Sequence, residues 1–233
     1  MSEGSAAGVA DIAAHKTRGP YRNGIKRRRE IILAASKVFG QYGYAGGSLR
    51  QIALDVGVTP AALTRHFENK EGLLIAVLEH WDVENDRVMP ADVRGLTRFM
   101  LLPYNAYQHT LDRGLIEMFL TIAAESSNPN HPLHQFVKRR YDRLMVRALG
   151  ELHYAQEHGE ILPMDDEQMM REVRAVYALM DGLQLQWLLN PDIDLLRILQ
   201  DALGHFIQRW TGKPVVWADP RIIAKSVEAE RAD

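Results

Sequence analysis

Apolar residues recur every three to four positions over most of the chain, the spacing that lines one face of an α-helix. The first such run predicts a helix from about Ile25 to Tyr42, with Ile32, Ala35, Phe39 and Tyr42 on one stripe. Gly43 ends it and Gly46-Gly47 extend the break, as expected past a helix C-terminus. Ser48 followed by Gln51 has the form of a capping box, in which each side chain reaches the other's backbone N–H. The short helix that it opens ends near Val56-Gly57. Thr59-Pro60 then starts a third helix over roughly 60–66, with proline at the first helical position, where a missing N–H costs nothing. Asn69 caps a fourth, from Lys70 to about Val88, interrupted by Met89-Pro90.

Past Pro90 the pattern stays helical, with helices predicted near 92–110, 113–127, 132–158, 166–189 and 193–210. Leu102-Pro103 kinks the first of these, since proline removes an intrahelical bond. Residues 128–132 form a loop whose Pro132 suits a helix start, and Asp165 with Gln168 repeats the capping-box pattern. Asn190-Pro191-Asp192 separates the last two helices. With no alternating strand pattern, phosphate-binding glycine motif or internal repeat, the fold class is all-α. Helix 166–189 carries two apolar stripes. One is Val173, Val176, Tyr177, Met180, Leu183 and Trp187; the other is Ala175, Ala178, Leu179, Gly182, Leu185 and Leu189. A helix apolar on both faces needs cover on both, so one face is expected on its own core and the other on a second subunit. Helix 193–210 has the same need through Leu195, Leu199, Leu203, Phe206 and Trp210.

Charge changes this picture. The net charge of -2 over 233 residues hides a split: residues 15–70 hold 11 Lys and Arg against Glu30, Asp55 and Glu68. The remainder carries 17 basic and 27 acidic residues, so a polyanion finds only one end attractive. Cysteine is absent, which excludes disulfides, thiolate metal sites and a cysteine nucleophile. No apolar run reaches the roughly 18 residues of a membrane span, and the N-terminus lacks the pattern of a secretory signal, so a soluble cytoplasmic protein is expected.

Two short helices cross steeply when a small residue sits at their contact, a flexible one makes the turn and an apolar plug fills the angle. Ala53, Gly57 and Leu63 supply these three, flanked by Ile52, Val56 and Val58. This is a helix-turn-helix over 48–67. Together with I-L-A-A…F…G-Y in the first helix, S-L-R-Q-I-A, V-G-V, A-L-x-x-H-F and N-K-E-x-L-L, it makes Arg27–Glu79 resemble the tetracycline-repressor (TetR) family of bacterial regulators. D-G-L-Q-L-Q-W-L-L-N-P-D at 181–192 is similar to that family's penultimate-helix ending. Thr64 departs from the pattern, where the family often has Tyr; a Thr hydroxyl still has a proton to donate.

The resemblance implies an N-terminal three-helix DNA-binding domain (25–70) behind a flexible basic arm (1–24). A helical effector-binding and dimerisation domain (71–212) and a tail (213–233) follow. The front of the third helix enters the major groove. There Pro60, Ala61 and Ala62 suit a thymine methyl, and Arg50 reads guanine, holds a phosphate or stays solvated. Ser48, Thr59, Thr64, Arg65, His66 and Lys70 would mostly hold phosphates, with Ser48 equally a cap and His66 equally a packed histidine. Arg27 and Arg28, with Lys16, Arg18 and Arg22, either drape into the minor groove or stay free of DNA. A homodimer through 166–189 and 193–210 would read a palindromic operator.

The middle helices bring Phe99, Met100, Tyr104, Tyr107, Met118, Phe119, Met145, Tyr177 and Met180, either an adaptable pocket for a small, largely apolar effector or plain packed core. Asp181, inside an apolar span, pairs across the dimer, meets a polar ligand group or reaches solvent. His131 and His134, and His153 and His158, lie close in sequence without a metal-site companion pattern, so no metal, cofactor or enzyme chemistry is expected. The competing reading is a helix-turn-helix regulator that acts through a protein partner without an effector.

Overall fold

The computed structural model describes residues 19–88 and 93–217 of the chain. The first part of the expected arm, the Met89-Pro90 break and the end of the tail lie outside them. Ten helices make up the described residues: α1 (Gly19–Gly46), α2 (Leu49–Val56), α3 (Pro60–Phe67), α4 (Lys70–Val88), α5 (Leu96–Met100), α6 (Leu102–Thr110), α7 (Arg113–Glu125), α8 (His134–Glu157), α9 (Asp166–Leu189) and α10 (Leu195–Thr211).

Helix α1 begins at Gly19, within the stretch expected to be a flexible arm, with Pro20 in the first turn, where proline is tolerated. Its buried stripe is Ile31, Ile32, Ala35, Val38 and Phe39. Tyr42, placed on that stripe from the sequence, is instead 55% exposed. The backbone leaves the helix at Gly43 (φ 68), and Tyr44 beyond the break faces Phe39 with ring centroids 6.0 Å apart. Helix α8 starts at His134, after Pro132, and α10 at Leu195 behind its cap Asp194. The expected kink near Pro103 is a full interruption: α5 and α6 meet at Leu101.

Two apolar cores hold the helices. The first joins α1–α4 through residues such as Phe39, Ile52, Leu63 and Val77, and continues into Leu115, Met118 and Ile122 of α7 and Phe136 of α8. The helix-turn-helix is therefore welded to the rest of the chain through α7. The second joins α5, α6, α8, α9 and α10 around Phe99, Leu152, Val176, Leu203 and Trp210. Each such large side chain, fully buried, contributes about 1.5–3 kcal/mol. Gly114 of α7 rests directly on Gly40 of α1; a Cβ there would lie 1.9 Å from the Gly40 carbonyl oxygen.

Helix α9 shows the expected asymmetry. Val173, Val176, Met180 and Leu183 are buried, whereas Ala175, Ala178, Leu185 (50% exposed) and Leu189 (79% exposed) face outward. Its N-terminus is capped by Asp165, which accepts from the Gln168 N–H at 2.7 Å.

Candidate functional site

The angle between α2 and α3 is set by Gly57 in the left-handed region (φ 70, ψ 42). There the Val58 N–H reaches Ala53 O (2.9 Å) and the Gly57 N–H reaches Leu54 O (3.1 Å). Ala53 and Leu63 are buried at the crossing, as their spacing requires. Ser48 Oγ accepts from the Arg50 N–H (3.2 Å) and Gln51 turns to Asp55 (2.8 Å), so Ser48 caps α2 but the reciprocal capping box is not made. Thr59 Oγ1 accepts from the Ala62 N–H at 3.1 Å. The Asn69 side chain accepts from Gly72 N–H at 2.7 Å and starts α4.

The candidate DNA-facing residues divide by what already holds them. Arg50, Pro60, Ala61 and Arg65 lie exposed on the front of α2 and α3, with Ser48 and Thr59 exposed at their caps; Ala62 and His66 are half-buried. Thr64 is exposed, but its hydroxyl donates to Pro60 O at 2.7 Å and so has no proton left for a phosphate. Arg27 is drawn inward, donating to Glu30 (2.8 Å) and to Val56 O (3.3 Å), which ties α1 to the end of α2. Arg28 lies over the Phe67 ring at 4.9 Å. The Lys70 ammonium, at the head of α4, sits 4.4 Å from the Tyr44 ring centroid, and burial lowers its pKa. The Tyr44 hydroxyl in turn donates to Glu71.

At its other end α4 forms one wall of a cavity of about 630 Å³ between α5, α6, α7, α8 and α9. Of the residues expected from the sequence, Phe99, Phe119, Tyr177 and Met180 line it. Met100, Tyr104, Tyr107, Met118 and Met145 do not. The cause is helical phase. On α6 the cavity side is Leu102, Asn105 and His109, which turns Tyr104 and Tyr107 away. On α8 it is Arg140, Arg143, Leu144, Arg147, Ala148 and Glu151, leaving Met145 in the packed core; Met118 belongs to the core shared with α1.

The wall is far more charged than the expected apolar lining. Arg140, almost buried, forks onto Asp82 of α4 (Nε to Oδ2 3.0 Å, Nη2 to Oδ1 2.6 Å) and lies 4.2 Å from the Phe119 ring centroid. Arg147 pairs with Asp86 of α4 at 2.5 Å. Glu151 accepts from Arg94 Nε (2.9 Å) and from the Gly95 N–H (2.8 Å), serving the start of α5, which has no side-chain cap of its own. Asp181 accepts from the Tyr141 hydroxyl at 2.7 Å and lines the cavity, and burial raises its pKa. His109 lies tilted against Trp81 (ring centroids 4.9 Å apart), its Nδ1 is 3.0 Å from Gln184 Nε2, and its buried Nε2 has no partner among the described residues. Burial, helped by Arg140, lowers its pKa to about 4, so the ring is neutral at physiological pH.

None of Trp81, Asp82, Asp86, Arg98, Arg140, Arg147 or Gln184 was singled out from the sequence; only Asp181 stood out, as a charge in an apolar run. A charge that recurs at helical spacing on an otherwise polar surface gives no signal until the facing helices are known. The histidine pairs have local roles: His131 Nδ1 meets Ser126 Oγ (3.0 Å) and His134 Nδ1 meets Ser126 O (2.8 Å), holding the turn before α8. No group of three metal-ligating side chains occurs among the described residues, and no described helix is long and apolar enough to cross a membrane.

Residues 31–77 match the family model of bacterial regulatory proteins, tetR family. The chain is 25% identical to the HTH-type transcriptional regulator BetI of Brucella suis over 72% of this chain and 82% of that one. It is 29% identical to the HTH-type regulator TtgR of Pseudomonas putida, over 72% and 84%. Among solved structures it resembles a TetR transcription regulator of Haloarcula marismortui (TM-score 0.66, 16% identity, 80% of this chain and 98% of that one). It also resembles FadR of Bacillus subtilis in complex with stearoyl-CoA (0.63, 20%, 78% and 98%). A third is a regulator of Saccharomonospora viridis in complex with choline (0.65, 22%, 79% and 96%). At these identities the solved structures speak for the fold.

Proposed function

The chain belongs to the TetR family of bacterial regulators, and on that premise we propose that it is a cytoplasmic, non-enzymatic repressor that binds a palindromic operator as a homodimer and is released by a small effector. One observation carries the effector part: α4 begins at the reading head with Lys70 and supplies Trp81, Asp82 and Asp86 to the cavity wall. A molecule that fills the cavity acts on the same helix that fixes the reading head, so occupancy and DNA affinity are coupled in both directions. The relatives solved with stearoyl-CoA and with choline support a ligand within this fold.

On the DNA side, Arg50, Ala61 and Arg65 form the exposed front, with Lys70 behind them at the N-terminus of α4, where the helix dipole favours a phosphate. On the dimer side, the outward stripe of α9 carries Leu185 and Leu189, and Gly182 has nothing within 4 Å of an added Cβ, so this face is open within one chain. A two-fold pair of such faces sets the spacing of the two reading heads near one helical turn of DNA.

The test begins with selection of bound duplexes from a random pool, followed by fluorescence polarisation on the winning sequence. Arg50→Ala with Lys70→Ala is expected to abolish binding with unchanged helicity and to lower the salt slope by about one for the lost Lys70 phosphate contact. Gly182→Arg is expected to give a folded monomer in sedimentation with little operator affinity. A pool that yields no enriched sequence, or an Arg50/Lys70 variant that binds as tightly as the parent, defeats the proposal.

A further inference from the structure

Helices α4 and α8 run in the same direction along the cavity, because Asp82 pairs with Arg140 and Asp86 with Arg147. Arg143 lies on α8 between these two bridges, on the cavity side, and has no ion-pair partner among the described residues. Arg98 of α5 reaches the same Asp86, at 3.8 Å. Two guanidiniums thus share one carboxylate, and a third, Arg143, lines the same cavity without one. The remaining acids of the wall are committed: Asp82 to the Arg140 fork, Glu151 to Arg94 and the Gly95 N–H, Asp181 to the Tyr141 hydroxyl. Glu79 stands one turn before Asp82, on the far side of that bridge from Arg143.

Two further observations agree. The Tyr177 hydroxyl faces this cluster with no hydrogen bond to the described residues. Burial keeps its pKa high although Arg147, Arg98 and Arg140 all act to lower it, so it stays an O–H donor. Burial, with the nearby Arg147 acting the same way, lowers the pKa of Arg98 although Glu151 and Asp86 act to raise it. The Arg140 guanidinium already lies over the Phe119 ring, so a cationic ligand finds that ring taken.

We propose that the cavity takes an amphipathic organic anion, its oxyanion head among Arg98, Arg143, Arg147 and the Tyr177 hydroxyl, its apolar body running inward past Leu102 and Met180 toward Phe119. This deepens the effector-responsive reading above and rests on it. The arginine fork suits a planar carboxylate or a sulfonate, and the cavity volume falls in the range of drug-sized ligands. It also gives the switch a direction. An anion that engages Arg147 and Arg98 draws them from Asp86, which loosens the far half of α4 from α8.

The test uses the full-length protein and two fluorescent probes of nearly equal shape, 1-anilinonaphthalene-8-sulfonate and its neutral counterpart N-phenyl-1-naphthylamine. The sulfonate is expected to bind at least tenfold tighter. Arg98→Gln and Arg147→Gln should each reduce its affinity about tenfold, the worth of one charge-assisted hydrogen bond, while the neutral probe binds as before and so reports an intact cavity. Octanoate or 4-phenylbutyrate should displace the sulfonate, and choline should not. Equal affinity for the two probes, arginine variants that bind the sulfonate like the parent, or displacement by choline in place of the carboxylates overturns the anion site. If a carboxylate displaces the probe yet leaves operator binding unchanged in polarisation, the anion site stands and the effector-release reading falls.

Discussion

The contact of Gly114 with Gly40 makes a sharp prediction, because it joins the reading head to the effector half through backbone alone. Alanine at 114 would place a Cβ 1.9 Å from the Gly40 carbonyl oxygen, 2.4 Å from its carbon and 2.5 Å from its Cα. A carbon–oxygen contact needs roughly 3.3 Å, so α1 and α7 must part by about 1.4 Å. No side-chain rotamer relieves the overlap, since both partners are main chain. A gap of that size forfeits much of the dispersion along the crossing, and overpacking costs about 1–3 kcal/mol, occasionally more. We expect about 3 kcal/mol for Gly114→Ala. Gly150, itself exposed on α8 with nothing within 4 Å of an added Cβ, is the control. Gly150→Ala removes a glycine from a helix interior without a clash and should gain about 0.5–1 kcal/mol. Urea unfolding followed by circular dichroism, at one fixed protein concentration because dimerisation contributes to stability, measures both. A Gly114→Ala variant within about 0.5 kcal/mol of the parent would refute the packing argument.

Three other outcomes follow from the same geometry. Asp82→Ala strands the Arg140 guanidinium in its buried seat and should cost about 2–3 kcal/mol, below the full penalty of a buried pair because Asp82 is 29% exposed; Asp82→Leu with Arg140→Met should recover at least half, and a double variant as unstable as Asp82→Ala contradicts this. His109 has a folded pKa of about 4 against an ordinary 6.5, so in that interval the unfolded chain binds the extra proton and stability falls as pH drops, by roughly 3 kcal/mol once protonation is complete. A His109→Gln variant should show a shallower loss of stability between pH 6.5 and 4, and an unchanged slope would count against a buried neutral ring. Glu68 holds φ 64 and ψ −57 in a tight turn where the Asn69 N–H reaches Phe67 O at 2.7 Å, a conformation that strains a side-chain-bearing residue. Glu68→Gly should net about 1 kcal/mol and raise Tm by about 2–4 °C, and a lowered Tm would remove the strain argument.

Most of the helices and the reading head were legible along the chain, because both are local. Helical periodicity, the Ser48, Thr59 and Asn69 caps, and the Ala53–Gly57–Leu63 spacing act within a few residues, and the structure realises each of them. On α9 one of the two apolar stripes lies buried on the chain's own core, as its period required, while the other is exposed in this chain. What failed were statements about which side of a helix faces which neighbour. Tyr42 was misplaced because the chain breaks at Gly43 and Tyr44 faces Phe39, and five of the nine expected pocket residues because their helices turn another face to the cavity. The cavity's charge was decided only in three dimensions. Asp82, Asp86, Arg98, Arg140 and Arg147 come from three separate helices and look like ordinary solvated positions along the chain. Their meaning depends on the register of α4 against α8, which is set by long-range packing of two cores and by no local pattern.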